Sequence, residues 1–154
     1  MCAANKVLIT ASSDKSLRTW DTVTRRRLDT LYGHEGWVHS VTFGIDGQIA
    51  VSGSGDKTVK VWDVNDARGK GTCRLTLRGH ETGVTCVQLD SDNILVSGSL
   101  DRTLRRVDLN NDVDDCTIIQ GHENGVYCLQ FVRHGIASGG GDGLIRMHDI
   151  RTVC

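Results

Sequence analysis

The sequence contains no proline, no Cys-x-x-Cys pair, no long apolar run and almost no net charge. Each absence narrows the function. Eighteen glycines without a proline suit tight hairpin turns better than a disordered tail. Eighteen basic residues against 19 acidic ones leave a formal charge of -1. That balance provides no long-range field for nucleic acid or an anionic membrane. The longest basic run, Arg25-Arg26-Arg27, reads as a solvated turn or strand edge. No stretch approaches the roughly 20 apolar residues needed to span a bilayer. The opening MCAANKVLIT has neither the charged nor the apolar region of a signal peptide. The six cysteines, without zinc-ligand spacing, read as reduced thiols of a cytoplasmic or nuclear protein. No metal or cofactor is expected. No helical periodicity reaches ten residues, and the length suits one domain.

What is present is a repeat. Gly-His occurs at Gly33-His34, Gly79-His80 and Gly121-His122. Trp-Asp occurs at Trp20-Asp21 and Trp62-Asp63, and Val107-Asp108 and His148-Asp149 fill the same slot further on. Six residues before each slot stands an aspartate: Asp14, Asp56, Asp101, Asp142. Four residues before each aspartate stands a hydroxyl: Thr10, Ser52, Ser97, Ser138. Offsets held four times at a period near 42 fit an architecture with four strands per unit. The first strands are VHSVTF (38–43), VTCVQL (84–89) and VYCLQF (126–131), which alternate in and out. Second strands follow hairpins such as Asp46-Gly47, third strands include VKVW (59–62), and fourth strands include RRLDTLY, CRLTL and CTIIQ. Longer connections fall at 65–71 and 110–115.

VSGSGDKTVKVWD and GHEGWVHSVTF resemble the WD-repeat family of β-propellers over nearly the whole chain. The phrases GVTCVQLDSDNILVSGSLDRTL and GVYCLQFVRHGIASGGGDGLI are similar to the propellers of F-box ubiquitin-ligase receptors. The expected fold is an all-β partial WD-repeat propeller of about 3.5 blades and fourteen antiparallel strands. Blade 1 (6–32) would lack its inner strand, blades 2 (33–78) and 3 (79–120) would be whole, and blade 4 (121–154) would lack its outer strand.

His34, Ser52 and Asp56 have the residue types of a hydrolase triad, but the set recurs as His80/Ser97/Asp101 and His122/Ser138/Asp142. One small domain has little use for three equal active sites. The resemblance implies a structural tetrad instead, in which the imidazole joins carboxylate to hydroxyl and the hydroxyl accepts from the indole of Trp62. Only the second unit holds all four members; Val107 cannot donate, whereas His148 can substitute for indole. The column Arg18, Lys60, Arg105, Arg146 reads as stems packed on the sheet with heads in solvent. Arg106 stands on a face that should pack between blades and needs a partner or an exposed edge. Cys86 and Cys128 read as small core residues.

The resemblance also implies that partner contacts lie early in first strands and just before the repeated aspartate, which singles out Trp37, His39, Leu100 and Tyr127 for their size. The absence of arginine from this set argues against phosphopeptide recognition. The expected function is a non-enzymatic interaction scaffold that binds a protein or peptide through its central face. The alternative is the substrate-recognition part of a ubiquitin ligase, which needs an F-box from a longer parent. An arc leaves two sheets uncovered, so self-association or a second chain is expected to complete the ring.

Overall fold

The computed structural model describes residues 2–4, 6–64, 71–111, 116–133 and 135–149. Among these residues no helix occurs, and none therefore is long and apolar enough to cross a membrane. Fifteen strands form four antiparallel sheets. The first contains β1 (Cys2–Ala4), β2 (Val7–Ala11), β3 (Leu17–Asp21) and β4 (Arg27–Leu31). The second contains β5 (Val38–Phe43), β6 (Ile49–Ser54), β7 (Val59–Asp63) and β8 (Thr72–Leu77). The third contains β9 (Val84–Leu89), β10 (Ile94–Ser99), β11 (Thr103–Asp108) and β12 (Cys116–Gln120), and the fourth β13 (Val126–Val132), β14 (Gly135–Gly140) and β15 (Ile145–His148). Each sheet is a simple meander, so every pairing joins sequence neighbours. The expected all-β partial propeller is therefore the fold found. The connections expected at 65–71 and 110–115 fall mostly outside the described residues.

One strand exceeds the expected fourteen. Cys2–Ala4 forms the inner strand that the first sheet was expected to lack, with Ala4 opposite Val7 and Cys2 opposite Ile9. The chain reverses within the short span between Ala4 and Val7, which pair directly, and Lys6 there has φ 67°.

Both faces of the second strands β6 and β10 are buried, which is why IAVSGS and ILVSGS carry no charge and do not alternate. Three apolar clusters lie between successive sheets. Ile9, Leu17 and Leu31 of the first sheet pack on Val38, Val41, Phe43, Ala50 and Trp62 of the second. Val51, Val59 and Val61 pack on Val84, Val87, Leu89 and Leu95. Val96 and Leu104 pack on Val126, Leu129 and Ile136. Each sheet thus offers one face forward and one back.

The sheets approach closely at Gly53 in β6. A β-carbon there would stand 2.6 Å from Val84 Cγ1 and 3.0 Å from Val87 Cγ1. Both valines are β-branched and boxed in by the same cluster, so neither can swing aside. Gly53→Ala is expected to overpack this seam and destabilise the protein by about 1–3 kcal/mol. Urea unfolding should show a lower midpoint with an unchanged slope; an unmoved midpoint would show that the seam has slack.

Candidate functional site

The repeated polar residues meet in pairs of short contacts. His34 Nδ1 lies 2.7 Å from Asp56 Oδ2 and its Nε2 lies 2.7 Å from Ser52 Oγ, which also accepts the Trp62 indole N–H at 2.8 Å. This fixes the tautomer: Nδ1–H donates to the carboxylate, and Nε2 accepts from the serine. His80 makes the same contacts to Asp101 (2.8 Å) and Ser97 (2.9 Å). His122 reaches both oxygens of Asp142 (3.0 and 3.1 Å) and Ser138 (2.7 Å). In the fourth sheet His148 Nε2, 2.7 Å from Ser138 Oγ, stands in for the indole. The first sheet keeps a remnant, Trp20 Nε1–H donating to Thr10 Oγ1 at 3.2 Å.

The aspartates are saturated by donors that the sequence reading missed. Asp56 accepts from the Thr58 hydroxyl (2.6 Å), the Thr58 N–H (2.9 Å) and the Glu35 N–H (2.9 Å). Asp101 repeats the set with Thr103 and Glu81. The signal was the threonine two places after each aspartate in GDKT and LDRT. Burial alone would push these carboxyls up; the hydrogen bonds more than reverse it, holding Asp101 at about 2 and Asp56 well below the usual carboxylate range. Burial lowers His34 and His80, the nearby carboxylate only partly offsetting it, so both rings stay neutral.

This geometry cannot serve a nucleophile. Ser52, Ser97 and Ser138 are all buried, and Ser52 Oγ is enclosed between imidazole and indole. What the network can do is tie each Gly-His loop to the second and third strands of its sheet.

Where the indole is absent, an unexpected residue fills the space. Gly33 abuts the Trp62 ring, with 3.3 Å from a notional β-carbon to Cη2. At the matching Gly79 the neighbour is the guanidinium of Arg105, and at Gly121 it is the ring of His148. Arg105 was expected to carry its head into solvent. Instead Nη2 donates to Gly79 O at 2.7 Å, Nη1 approaches Cys116 Sγ at 3.9 Å, and Nε is buried without a partner. The hole beside Val107 draws it in. The rest of the basic column is also engaged: Arg18 with Asp14, Lys60 with Thr76 Oγ1, Arg146 with Asp142. Arg106 is half-buried with its Nε unpartnered, on a cleft of about 470 Å³ beside Asp90, Asp92 and Asp108. Cys86 is buried, which pushes its thiol up to about 11. Cys128 is exposed rather than in the core, because no further sheet covers it among the described residues.

The other candidate residues share a strip across three sheets. The inner strands β5, β9 and β13 each carry a β-bulge at one position. Val38 pairs Ser54 and Ser40 pairs Gly53, leaving His39 unpaired; Thr85 and Tyr127 are skipped in the same way. A bulge re-aims the extra residue's side chain. Trp37 is 62% exposed, Tyr127 57% and Leu100 45%, and His39 is exposed as well. Trp37 and His39 meet edge to face, with ring centroids 6.5 Å apart. Backbone contacts link the strip. Trp37 O accepts from Gly55 N, Gly83 O from Leu100 N, and Gly125 O from Gly141 N, at 2.8, 3.1 and 2.8 Å. Between these bonds lie close approaches: Gly83 rests on Gly55, Gly125 on Leu100, and Gly141 on the Tyr127 ring. Trp37, His39, Leu100 and Tyr127 are thus joined by a floor of four glycines.

Comparison with known proteins places these features. The WD domain, G-beta repeat family profile matches residues 25–63, 71–108 and 114–149. A solved structure of U3-55K superposes with a TM-score of 0.84 at 25% identity, over 94% of this chain and 44% of that one. The CCR4-associated factor 4 homolog of Candida glabrata is 36% identical over 66% of this chain and 18% of its own length. Cell division control protein 4 of Saccharomyces cerevisiae is 39% identical over 53% of this chain and 10% of its own. The chain spans less than a fifth of either of these curated relatives.

The tie through His34 should be measurable. His34→Ala leaves a buried hydroxyl and carboxylate short of a partner and is expected to cost about 1–3 kcal/mol. Stability should also fall with acidification. His34 and His80 have folded pKa values below the 6.5 of the open chain. The unfolded state therefore takes up protons first, so stability declines as the pH drops through 6.5. Protonation of Asp56 and Asp101, depressed from 3.8, adds a second loss with the same sign at lower pH. Thermal melts at neutral pH and at about pH 5 check both expectations; an unchanged midpoint in acid would contradict the neutral-imidazole tie. Three profile matches, the Gly-His and Trp-Asp period and the meandering four-stranded sheets agree: the chain belongs to the WD-repeat family of β-propeller proteins.

Proposed function

We propose that this chain is a non-enzymatic interaction scaffold that holds a protein or peptide on the strip carrying Trp37, His39, Leu100 and Tyr127. The observation that supports this most is the bulge repeated at the same register in three inner strands. It projects His39 and Tyr127 from strands whose other residues are committed to pairing. The glycine floor has no side chains to obstruct an approaching chain, and large amphipathic rings at either end can anchor one. Scattered exposed apolar residues would need no explanation; these are joined by bonds within each of three sheets and by close approaches between them, Gly83 on Gly55 and Gly125 on Leu100.

In this reading the tetrads of His34, Ser52, Asp56 and Trp62, of His80, Ser97 and Asp101, and of His122, Ser138 and Asp142 keep the Gly-His loops rigid, so that the strip is preorganised. The strip includes no arginine, so its ligand has no need of a phosphate. The WD-repeat relatives carry names from separate processes, including nuclear distribution and ribosome biogenesis. That spread suits a scaffold that presents a surface, with specificity set by the side chains on it.

The test uses peptides selected from a random library against the wild-type chain. Trp37→Ala and Tyr127→Ala should each weaken the selected peptide by about 2 kcal/mol, near thirtyfold in Kd. Neither should shift the melting temperature, because both rings are exposed. Peptides that bind both variants with wild-type affinity would place the docking surface elsewhere.

A further inference from the structure

The outer strands β4, β8 and β12 are each paired on one side only, to the third strand of their own sheet. Such an edge carries a row of backbone N–H and C=O groups that pair readily with another chain, and proteins blunt it with charge, a bulge or proline. The sequence has no proline, and the other two devices are unevenly shared. β4 (RLDTL) carries Arg27 and Asp29, and its ladder slips at Leu28, between the pairs Thr19–Asp29 and Trp20–Arg27. Asp29 is tied further, its Oδ2 accepting the Gly71 N–H at 3.0 Å. β8 (TCRLTL) carries Arg74, and its ladder slips at that residue, between Val61–Leu75 and Trp62–Cys73. β12 (CTIIQ) has neither charge nor slip: its register runs unbroken from Thr103–Gln120 to Val107–Cys116. In both bulged sheets the slip lies beside the tryptophan of the third strand. Val107 holds that slot in the third sheet, and the ladder runs straight through it.

The third sheet is flanked by the second and the fourth, so this edge belongs to the body of the arc. Ile119 packs inward on the cluster of Val96, Leu104 and Val126, whereas Ile118, on the other face of the strand, is 51% exposed. Alternate residues of β12 turn their N–H and C=O groups away from β11, and among the described residues no strand pairs with them. We propose that this edge takes an extended segment of another polypeptide as a fifth strand of the third sheet. The row of backbone groups is matched only by another extended backbone, so main-chain bonds supply the affinity. The edge fixes the partner's chemistry as well. Five residues without a charge offer nothing to hold a charged segment. Ile118 is the one large exposed apolar side chain of the strand, and it is complemented across a ladder by a β-branched or aromatic residue. The partner is therefore an extended, uncharged, β-branched segment, with Ile118 setting its register. This edge lies on the outer strand and the strip on the inner strands, so the two surfaces are separate.

The experiment takes peptides selected from a random library on the wild-type chain and measures how each depends on Ile118. Ile118→Lys puts a charge on the edge and, at an exposed position, should leave the melting temperature unchanged. One class of peptides should bind this variant about tenfold more weakly, or worse, and bind Trp37→Ala with wild-type affinity. The same peptides should bind Ile118→Thr as they bind wild type, because threonine is β-branched as well. On binding they should slow amide hydrogen exchange at alternate residues of β12. N-methylation of the peptide should abolish binding at every second residue only, since a strand turns alternate N–H groups toward its neighbour. The proposal is overturned if no selected peptide distinguishes Ile118→Lys from wild type, or if the sensitive peptides tolerate N-methylation throughout. It is also overturned if sedimentation shows a wild-type dimer that Ile118→Lys dissociates, because a second copy would then fill the edge. Peptides lost on Trp37→Ala or Tyr127→Ala belong to the strip and are scored apart, so either reading can fail without the other.

Discussion

A sheet whose two faces are both apolar cannot be stable alone, and every other feature of this molecule follows from that requirement. The valine-rich strands bury area only when a neighbouring sheet lies on each side, so stability is shared among units rather than held by any one of them. Close stacking makes small residues necessary where strands cross, hence Gly53 against Val84 and Gly98 against Val126. It also leaves the loops between units with little apolar area of their own. They are held instead by hydrogen bonds: an imidazole spans from Asp56 to Ser52, and matching rings span the same gap in the next two sheets.

The two kinds of contact divide the work. Apolar faces set the order and spacing of the sheets, while the buried polar ties set the loops above them to within hydrogen-bond tolerance. The exposed strip depends on both. Its floor consists of backbone from neighbouring sheets in contact, Gly83 on Gly55 and Gly125 on Leu100. Its side chains come from bulged positions next to the tied loops. A shift between sheets would therefore break the strip before it exposed any core.

Much of this is legible in the sequence because antiparallel pairing converts spatial adjacency into fixed offsets. Asp56 and Ser52 meet one imidazole since both flank the same hairpin, and so they recur at a constant separation along the chain. The inner strands β5, β9 and β13 are readable from the alternation of VHSVTF, VTCVQL and VYCLQF. Other features leave no such trace. The ladder of Cys2–Ala4 is three residues long, too short for any periodicity. The bulges at His39 and Tyr127 change pairing without changing composition. Arg105 looks like its counterpart Lys60 in sequence, and only the volume left by Val107 sends its guanidinium inward.

The three tryptophans occupy three distinct surroundings. Trp62 is 1% exposed at the centre of a seam, Trp20 is partly covered in the first sheet, and Trp37 is 62% exposed on the strip. Their emission is therefore separable by access: an aqueous quencher such as iodide reaches Trp37 freely, Trp20 partially and Trp62 only when the sheets part. One spectrum carries signals from the strip, the first sheet and the interior, and each can be isolated by replacing the other two rings with phenylalanine.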